Sequence, residues 1–192
     1  MMQSSDSRLV RGAVEFDFAS ALPLTDDEKG EALAFLSARP LHTFVMTGWL
    51  HDNGIVSPLN RGTFYSHRNG NGDLDGVALI GHTILFEARS DDAVAAFAGL
   101  TQDCSAASAL MGEENKVKQF LGHYTRCGRA PRLACRELLY EQREKQQLGD
   151  EIPALRLATS NELDQIVKVH AELAQAESGV NPLDVDPNGF RM

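Results

Sequence analysis

The sequence has few of the residues that mark disulfide-bonded or metal-binding proteins. Its three cysteines, Cys104, Cys127 and Cys135, are an odd number and include no CxxC pair, which argues against a disulfide framework and a cysteine-based zinc site. None of the six histidines lies four residues from another, so a histidine-based zinc site is also unsupported. The sequence therefore predicts no metal centre and reduced thiols.

Membrane and nucleic-acid partners lack support as well. The first seven residues are polar and are followed by no signal-like apolar run, and no apolar stretch approaches the roughly 20 residues that span a bilayer. The net charge is −9 and the isoelectric point is near 5.1, so the chain has no overall attraction for phosphate backbones. We expect a cytoplasmic protein with neither membrane nor nucleic acid as a partner.

What the sequence does contain is a regular order of helix and strand signals. After an N-terminal tail, in which 13–18 could form a short strand, Thr25 and Glu28 form a capping box. Pro40 suits the first turn of a second helix that Asn53-Gly54 ends. Beyond that helix, the patterns predict strands at 63–67, 76–80 and 83–87, a helix capped by Ser90, a short buried strand at 106–111, a helix at 113–124 and a long strand at 133–141.

A second unit begins after a polar segment. Residues 143–153 read as a linker that ends at Pro153. Leu155–Ala158 reads as a short strand, Thr159 and Glu162 form another capping box, and an apolar helical stripe runs from Leu163 to Gly179. Asp186-Pro187 could open a further helix. This helix stripe is too apolar to lie in water, so we expect it to pack on the first unit, on another copy of the chain or on further residues.

An antiparallel meander followed by alternating helices and strands predicts an α/β fold (α+β, mixed sheet), in which helices flank a central, mostly antiparallel sheet. At this point the order resembles the GNAT acyltransferase fold, with "ARPLHTFVMTGWLHDNGI" in the first unit and "LRLATSNELDQIVKVHAE" in the second. The resemblance implies a tandem protein: residues 1–24 are a tail and lead-in, 25–142 a degenerate GNAT-like accessory domain, 143–153 a linker, and 154–192 the incomplete start of a second GNAT domain.

The GNAT resemblance implies an N-acyltransferase that moves an acetyl or other acyl group from acyl-CoA to an amine, with acetyl-CoA or another acyl-CoA as co-substrate. Such domains bind the pyrophosphate with a Gln/Arg-x-x-Gly-x-Gly/Ala loop between the fourth strand and the next helix. In the first unit that junction is Glu87–Asp92, which has no glycine and places two acids at the helix start. In the second unit the loop is expected beyond residue 192. A near match, Thr125–Ala130, follows a helix instead of a strand.

No catalytic or cofactor-binding residue can be assigned from these patterns. The resemblance places the catalytic tyrosine beyond residue 192 and gives Glu172 and Glu177 a possible place beside the acceptor cleft. The other candidates have structural interpretations: Tyr140 in the core or on the sheet surface, Glu113 and Glu114 at a helix start, His170 packed on an apolar helix face, and Trp49 in the core or at a domain contact. Ser105 and Ser108 have no His/Asp pattern near them, so a serine hydrolase is not expected.

Two functions from different classes remain open. The chain could supply the accessory domain and the first part of the catalytic domain of an N-acyltransferase that acts on an amine. Alternatively, it is a non-catalytic GNAT-like binding or dimerisation module that does not bind CoA, with a homodimer as a possible assembly. The missing pyrophosphate loop is the observation behind the second hypothesis.

Overall fold

A computed structural model describes residues 21–128, 130–144 and 155–191. The chain divides into two compact units, Met1–Pro131 (unit 1) and Arg132–Met192 (unit 2). The strand predicted at 13–18 lies outside the described residues, as does most of the predicted linker. The assignment of residues 25–142 and 154–192 to two GNAT-like domains stays a prediction.

Unit 1 is built on a five-stranded mixed sheet in the order β1-β2-β3-β4-β5. The strands are β1 Ala21–Pro23, β2 Gly62–Arg68, β3 Leu74–Gly81, β4 Thr83–Ala88 and β5 Ala109–Met111. Neighbouring strands are antiparallel except for β4 and β5, which are parallel. The predicted fold class, a mostly antiparallel mixed sheet flanked by helices, is confirmed.

Helices cover the two faces of the sheet because the strands alternate their apolar side chains. On one face, Phe64, Val77 and Leu79 pack with residues of α1 (Lys29–Leu36) and α2 (Pro40–Asn53). On the other, Ala78, Ile80 and Phe86 pack with residues of α3 (Asp91–Gln102) and α4 (Glu114–Tyr124). Every residue of β3 is buried, as expected for a central strand covered on both sides.

The predicted caps set the helix ends in unit 1. Thr25 and Glu28 form the capping box at a short 3-10 turn, Asp26–Glu28, that leads into α1. Pro40 is the first residue of α2, and Gly54 ends that helix with φ +80°. The Ser90 side chain accepts a hydrogen bond from the Ala93 N–H at the start of α3.

One glycine in the sheet is required by close packing. A Cβ at Gly81 would lie 2.2 Å from the carbonyl oxygen of Arg61 and 2.4 Å from the Cα of Gly62. Backbone atoms cannot yield as the end of a flexible side chain can, so only glycine fits where β2 and β3 meet here.

Three strand predictions need correction. The strand predicted as buried at 106–111 is only Ala109–Met111, and Met111 is 53% exposed. The structure describes Leu133–Glu141 and Leu155–Ala158, and it places neither of them in a strand. Alternating apolar side chains indicate a strand only when a neighbouring strand supplies the backbone hydrogen bonds.

Unit 2 is mainly helical in its described residues. Thr159 and Glu162 form the predicted capping box, α5 runs from Leu163 to Ser178, and Gly179 ends it with φ +73°. A short helix, α6, spans Pro182–Val185. Where a further helix was predicted to open at Asp186-Pro187, the structure has a 3-10 turn, Gly189–Arg191. Among the described residues, no helix has the length and apolarity needed to cross a bilayer.

Candidate ligand site at the ends of strands β4 and β5

The parallel pair of strands β4 and β5 defines where a ligand could bind in unit 1. Both strands present their carboxyl ends at the same edge, and helices α3 and α4 begin there, at Asp91 and Glu114. In open sheets, ligands commonly bind at the carboxyl ends of parallel strands, where helix N-termini supply free backbone N–H groups. The side chains at this edge therefore decide what unit 1 can bind.

Glu87, near the end of β4, is buried and paired with two cations. Its side chain is 7% exposed and accepts hydrogen bonds from Arg39 Nη1 at 3.2 Å and Lys116 Nζ at 2.6 Å. Lys116 Nζ also donates to the carbonyl oxygen of Ala88. These contacts join the start of α2, the end of β4 and the first turn of α4.

Glu113, just before α4, completes the cluster. Arg39 Nη2 lies 2.5 Å from Glu113 Oε2. This hydrogen bond is the main reason why the pKa of Glu113 is lowered and the pKa of Arg39 is raised. We call Arg39, Glu87, Glu113 and Lys116 the edge cluster. Its two cations are matched by two carboxylates, so it presents no surplus positive charge to an anionic ligand.

The start of α3 is also occupied by internal contacts. The Ser90 hydroxyl donates to Asp75 Oδ2, and the Arg89 N–H donates to the Asp75 carbonyl oxygen at 2.8 Å. Asp91 Oδ1 lies 3.0 Å from His123 Nε2. The helix start therefore carries carboxylates where a phosphate would need cations and open N–H groups.

A second polar group, not foreseen from the sequence, surrounds Asp75. His67 is buried, and its Nδ1 lies 3.5 Å from Asp75 Oδ2, outside hydrogen-bonding geometry. Ser90, Asp75 and His67 have the three side-chain types of a serine-hydrolase triad, but their hydrogen bonds do not follow the order that such a triad needs. The serine donates to the carboxylate, whereas nucleophilic activation needs it to donate to the imidazole. The group ties α3 to β3, and its members are too far apart in the sequence for a motif to reveal it.

The structure places the sequence candidates at separate positions. Glu113 joins the edge cluster, whereas Glu114 forms an exposed pair with Lys118 at 2.6 Å. Trp49, predicted to lie in the core or at a domain contact, is half-buried against the core cluster of α1 and α2. Ser108 Oγ lies 3.3 Å from the His82 ring, a neighbour that sequence reasoning missed, and donates to the His82 carbonyl oxygen at 3.0 Å.

The remaining sequence candidates, Tyr140, His170, Glu172 and Glu177, lie in unit 2. Tyr140 is 82% exposed and outside any strand, so its predicted place in the core or on a sheet is wrong. His170, predicted to pack on an apolar helix face, is exposed, and its ring centroid lies 5.2 Å from that of Phe190. Glu172 and Glu177 are exposed on α5.

The near match to a phosphate loop, Thr125–Ala130, lies at the wrong end of a helix. Thr125–Cys127 continues α4 as a 3-10 turn, and Gly128 ends it with φ +84°. A helix C-terminus carries partial negative charge and repels anions. This segment is therefore a helix stop and not an anion-binding loop.

Within the described residues, no three histidine, cysteine or acidic side chains lie together in a way that could hold a metal ion. No family model, curated protein or solved structure matches the chain. The resemblance to the GNAT family therefore remains a prediction.

Proposed function

We propose that unit 1 is a non-catalytic, GNAT-like binding module that does not bind acyl-CoA at the ends of strands β4 and β5. The observation that carries this proposal is the edge cluster, in which Glu87 and Glu113 occupy both cations, Arg39 and Lys116. A binding module of this kind would act through its surfaces and not through a reaction at the sheet edge.

The charges at the edge explain why a pyrophosphate is unfavourable there. The edge cluster and the junction from Glu87 to Asp92 together carry four carboxylates (Glu87, Asp91, Asp92 and Glu113) and three permanent cations (Arg39, Arg89 and Lys116), which leaves a surplus of one negative charge. A dianionic group would be repelled by this surplus, and it could reach Arg39 only by displacing an existing ion pair. The junction from Glu87 to Asp92 also has no glycine that would let a phosphate approach the backbone.

A second candidate function is the one implied by the GNAT resemblance, transfer of an acyl group from acyl-CoA to an amine by a tandem protein. The capping box at Thr159 and the 16-residue helix α5 support it, because they match the helical part of the predicted opening of a second domain, whereas the predicted strand at Leu155–Ala158 is absent. Acyl-CoA would then bind outside unit 1. A cytoplasmic location fits both functions, and the free thiols of Cys104 and Cys135 are consistent with it.

Isothermal titration calorimetry of the full chain with acetyl-CoA tests the first proposal. We expect no binding tighter than about 1 mM, which corresponds to roughly 4 kcal/mol. Micromolar binding that is lost in Arg39→Gln would show that the edge cluster opens to admit the ligand, and it would overturn the proposal. Titration with inorganic pyrophosphate separates recognition of the phosphates from recognition of the rest of the cofactor.

A further inference from the structure

Unit 1 contains a small cavity outside the edge cluster. Its volume is about 200 Å³, and it is bounded by the end of β1, the loop that follows α2 and the first residues of β2. Eight residues line it: Leu24, Ile55, Val56, Ser57, Pro58, Gly62, Thr63 and Phe64. None of them belongs to the edge cluster, so the cavity shares no side chain with the ion pairs at the ends of β4 and β5.

The chemistry of the lining favours an uncharged, apolar ligand. Leu24, Ile55 and Phe64 are at most 3% exposed and form the inner wall, whereas Val56 is 71% exposed and lies on the solvent side. None of the eight lining residues carries a charged side chain. A charged ligand would therefore leave water without gaining a counter-ion from the lining.

The loop that forms one wall is held in place by its own hydrogen bonds. Asn60 is 1% exposed, and its Nδ2 donates to the carbonyl oxygens of Gly54 and Ile55, each at 3.0 Å. Its Oδ1 accepts a hydrogen bond from Asn53 Nδ2, also at 3.0 Å. A wall that is already ordered lowers the entropy cost of binding, which is a common property of small-molecule sites.

The volume limits the ligand to about one ring. An apolar cavity of about 150 Å³ can hold one benzene molecule, whereas pockets for drug-sized ligands measure about 300–1,000 Å³. The cavity is therefore too small for a nucleotide or acyl-CoA and suits a six-membered ring with one small substituent. Ser57 supplies a polar contact for that substituent: its Oγ accepts from the Leu59 N–H at 3.3 Å, so its own O–H can still donate.

We propose that this cavity binds a small, uncharged, single-ring aromatic molecule that carries one hydroxyl group, such as phenol. The ring would lie against Leu24, Ile55 and Phe64, and the oxygen of the ligand would accept a hydrogen bond from Ser57. The inference does not rest on the function proposed for the sheet edge, because the two sites share no residue.

NMR titration of the ¹⁵N-labelled full chain with phenol tests the site. The amide signals of Ile55, Val56 and Phe64 should shift and saturate, with a dissociation constant of about 1 mM or tighter. Benzoate, which has the same ring with a carboxylate, should bind at least about 10-fold more weakly. Shifts that do not saturate, shifts spread over the exposed apolar residues of unit 2, or equal affinity for benzoate would each overturn the inference.

Ile55→Phe should close the cavity, because it adds a ring at a buried lining position, and it should weaken phenol binding at least about 10-fold. Leu59→Phe is the matched control. Leu59 lies in the same part of the chain but is 71% exposed and does not line the cavity, so this variant should bind phenol as the wild type does.

Far-UV circular dichroism and urea unfolding show whether both variants fold. If Ile55→Phe does not fold, Val56→Trp provides the same test from an exposed lining position, where a larger side chain covers the cavity without entering the core. Wild-type affinity for phenol in a folded variant of Ile55 or Val56 would place the ligand elsewhere and would overturn the inference.

Discussion

Replacing Lys116 with methionine tests whether the edge cluster holds unit 1 together. The Lys116 side chain is 17% exposed, and its ammonium donates to Glu87 at 2.6 Å and to the Ala88 carbonyl. Methionine keeps the unbranched apolar stem of the side chain, which is one atom shorter than that of lysine, but removes the charge and both hydrogen bonds. Glu87, 7% exposed, would keep Arg39 as its remaining cation.

The expected loss of stability follows from the burial of the ion pair between Lys116 and Glu87. Removing one partner of a buried ion pair costs about 3–5 kcal/mol because the other charge is left uncompensated. Arg39 stays within hydrogen-bonding distance of Glu87 and retains part of that compensation, so we expect a smaller loss, about 2–3 kcal/mol. For a unit of 131 residues, this corresponds to a fall in melting temperature of roughly 10 °C.

Lys118→Met is the matched control in the same helix. Lys118 is 66% exposed and pairs with Glu114, four residues away, at 2.6 Å. Exposed pairs at this spacing contribute only about 0.3–0.5 kcal/mol. Urea unfolding followed by the fluorescence of Trp49, the only tryptophan and a residue of unit 1, measures both variants. Equal losses in the two variants, or a Lys116→Met loss below about 0.5 kcal/mol, would refute the reasoning.

Two further predictions concern unit 1. Gly81→Ala should lower the free energy of unfolding by about 2 kcal/mol or more, because its Cβ would meet backbone atoms at 2.2 Å. Gly48→Ala has open space around it in α2 and should raise the free energy of unfolding by about 0.5–1 kcal/mol. Urea unfolding midpoints that rank the two variants in the opposite order would contradict this. The pKa of Glu113 is lowered from 4.5, so its ion pair with Arg39 stabilises fully above pH 4.5 and is lost as the pH falls through the folded-state value. Unfolding midpoints measured across the acid range should therefore decline less steeply in Glu113→Gln than in the wild type, and parallel declines would count against this assignment.

Local chemistry allowed the helix ends and the meander to be predicted. Thr25, Pro40, Ser90 and Thr159 specify helix starts through hydrogen bonds or backbone geometry that involve only neighbouring residues. The predicted strand at Leu133–Glu141 failed for the opposite reason, since a strand needs a distant partner that alternation along the chain does not supply.

The sequence by itself determined where most helices and the meander strands form, and that the Glu87–Asp92 junction lacks the glycines of a phosphate loop. Only the tertiary structure decided that Arg39, Glu87, Glu113 and Lys116 meet at one sheet edge and neutralise one another. These residues are up to 77 positions apart (116 − 39). Local sequence patterns could not predict the ion pairs of the edge cluster, because these contacts depend on the parallel pairing of β4 and β5 and on the packing of α2, β4 and α4.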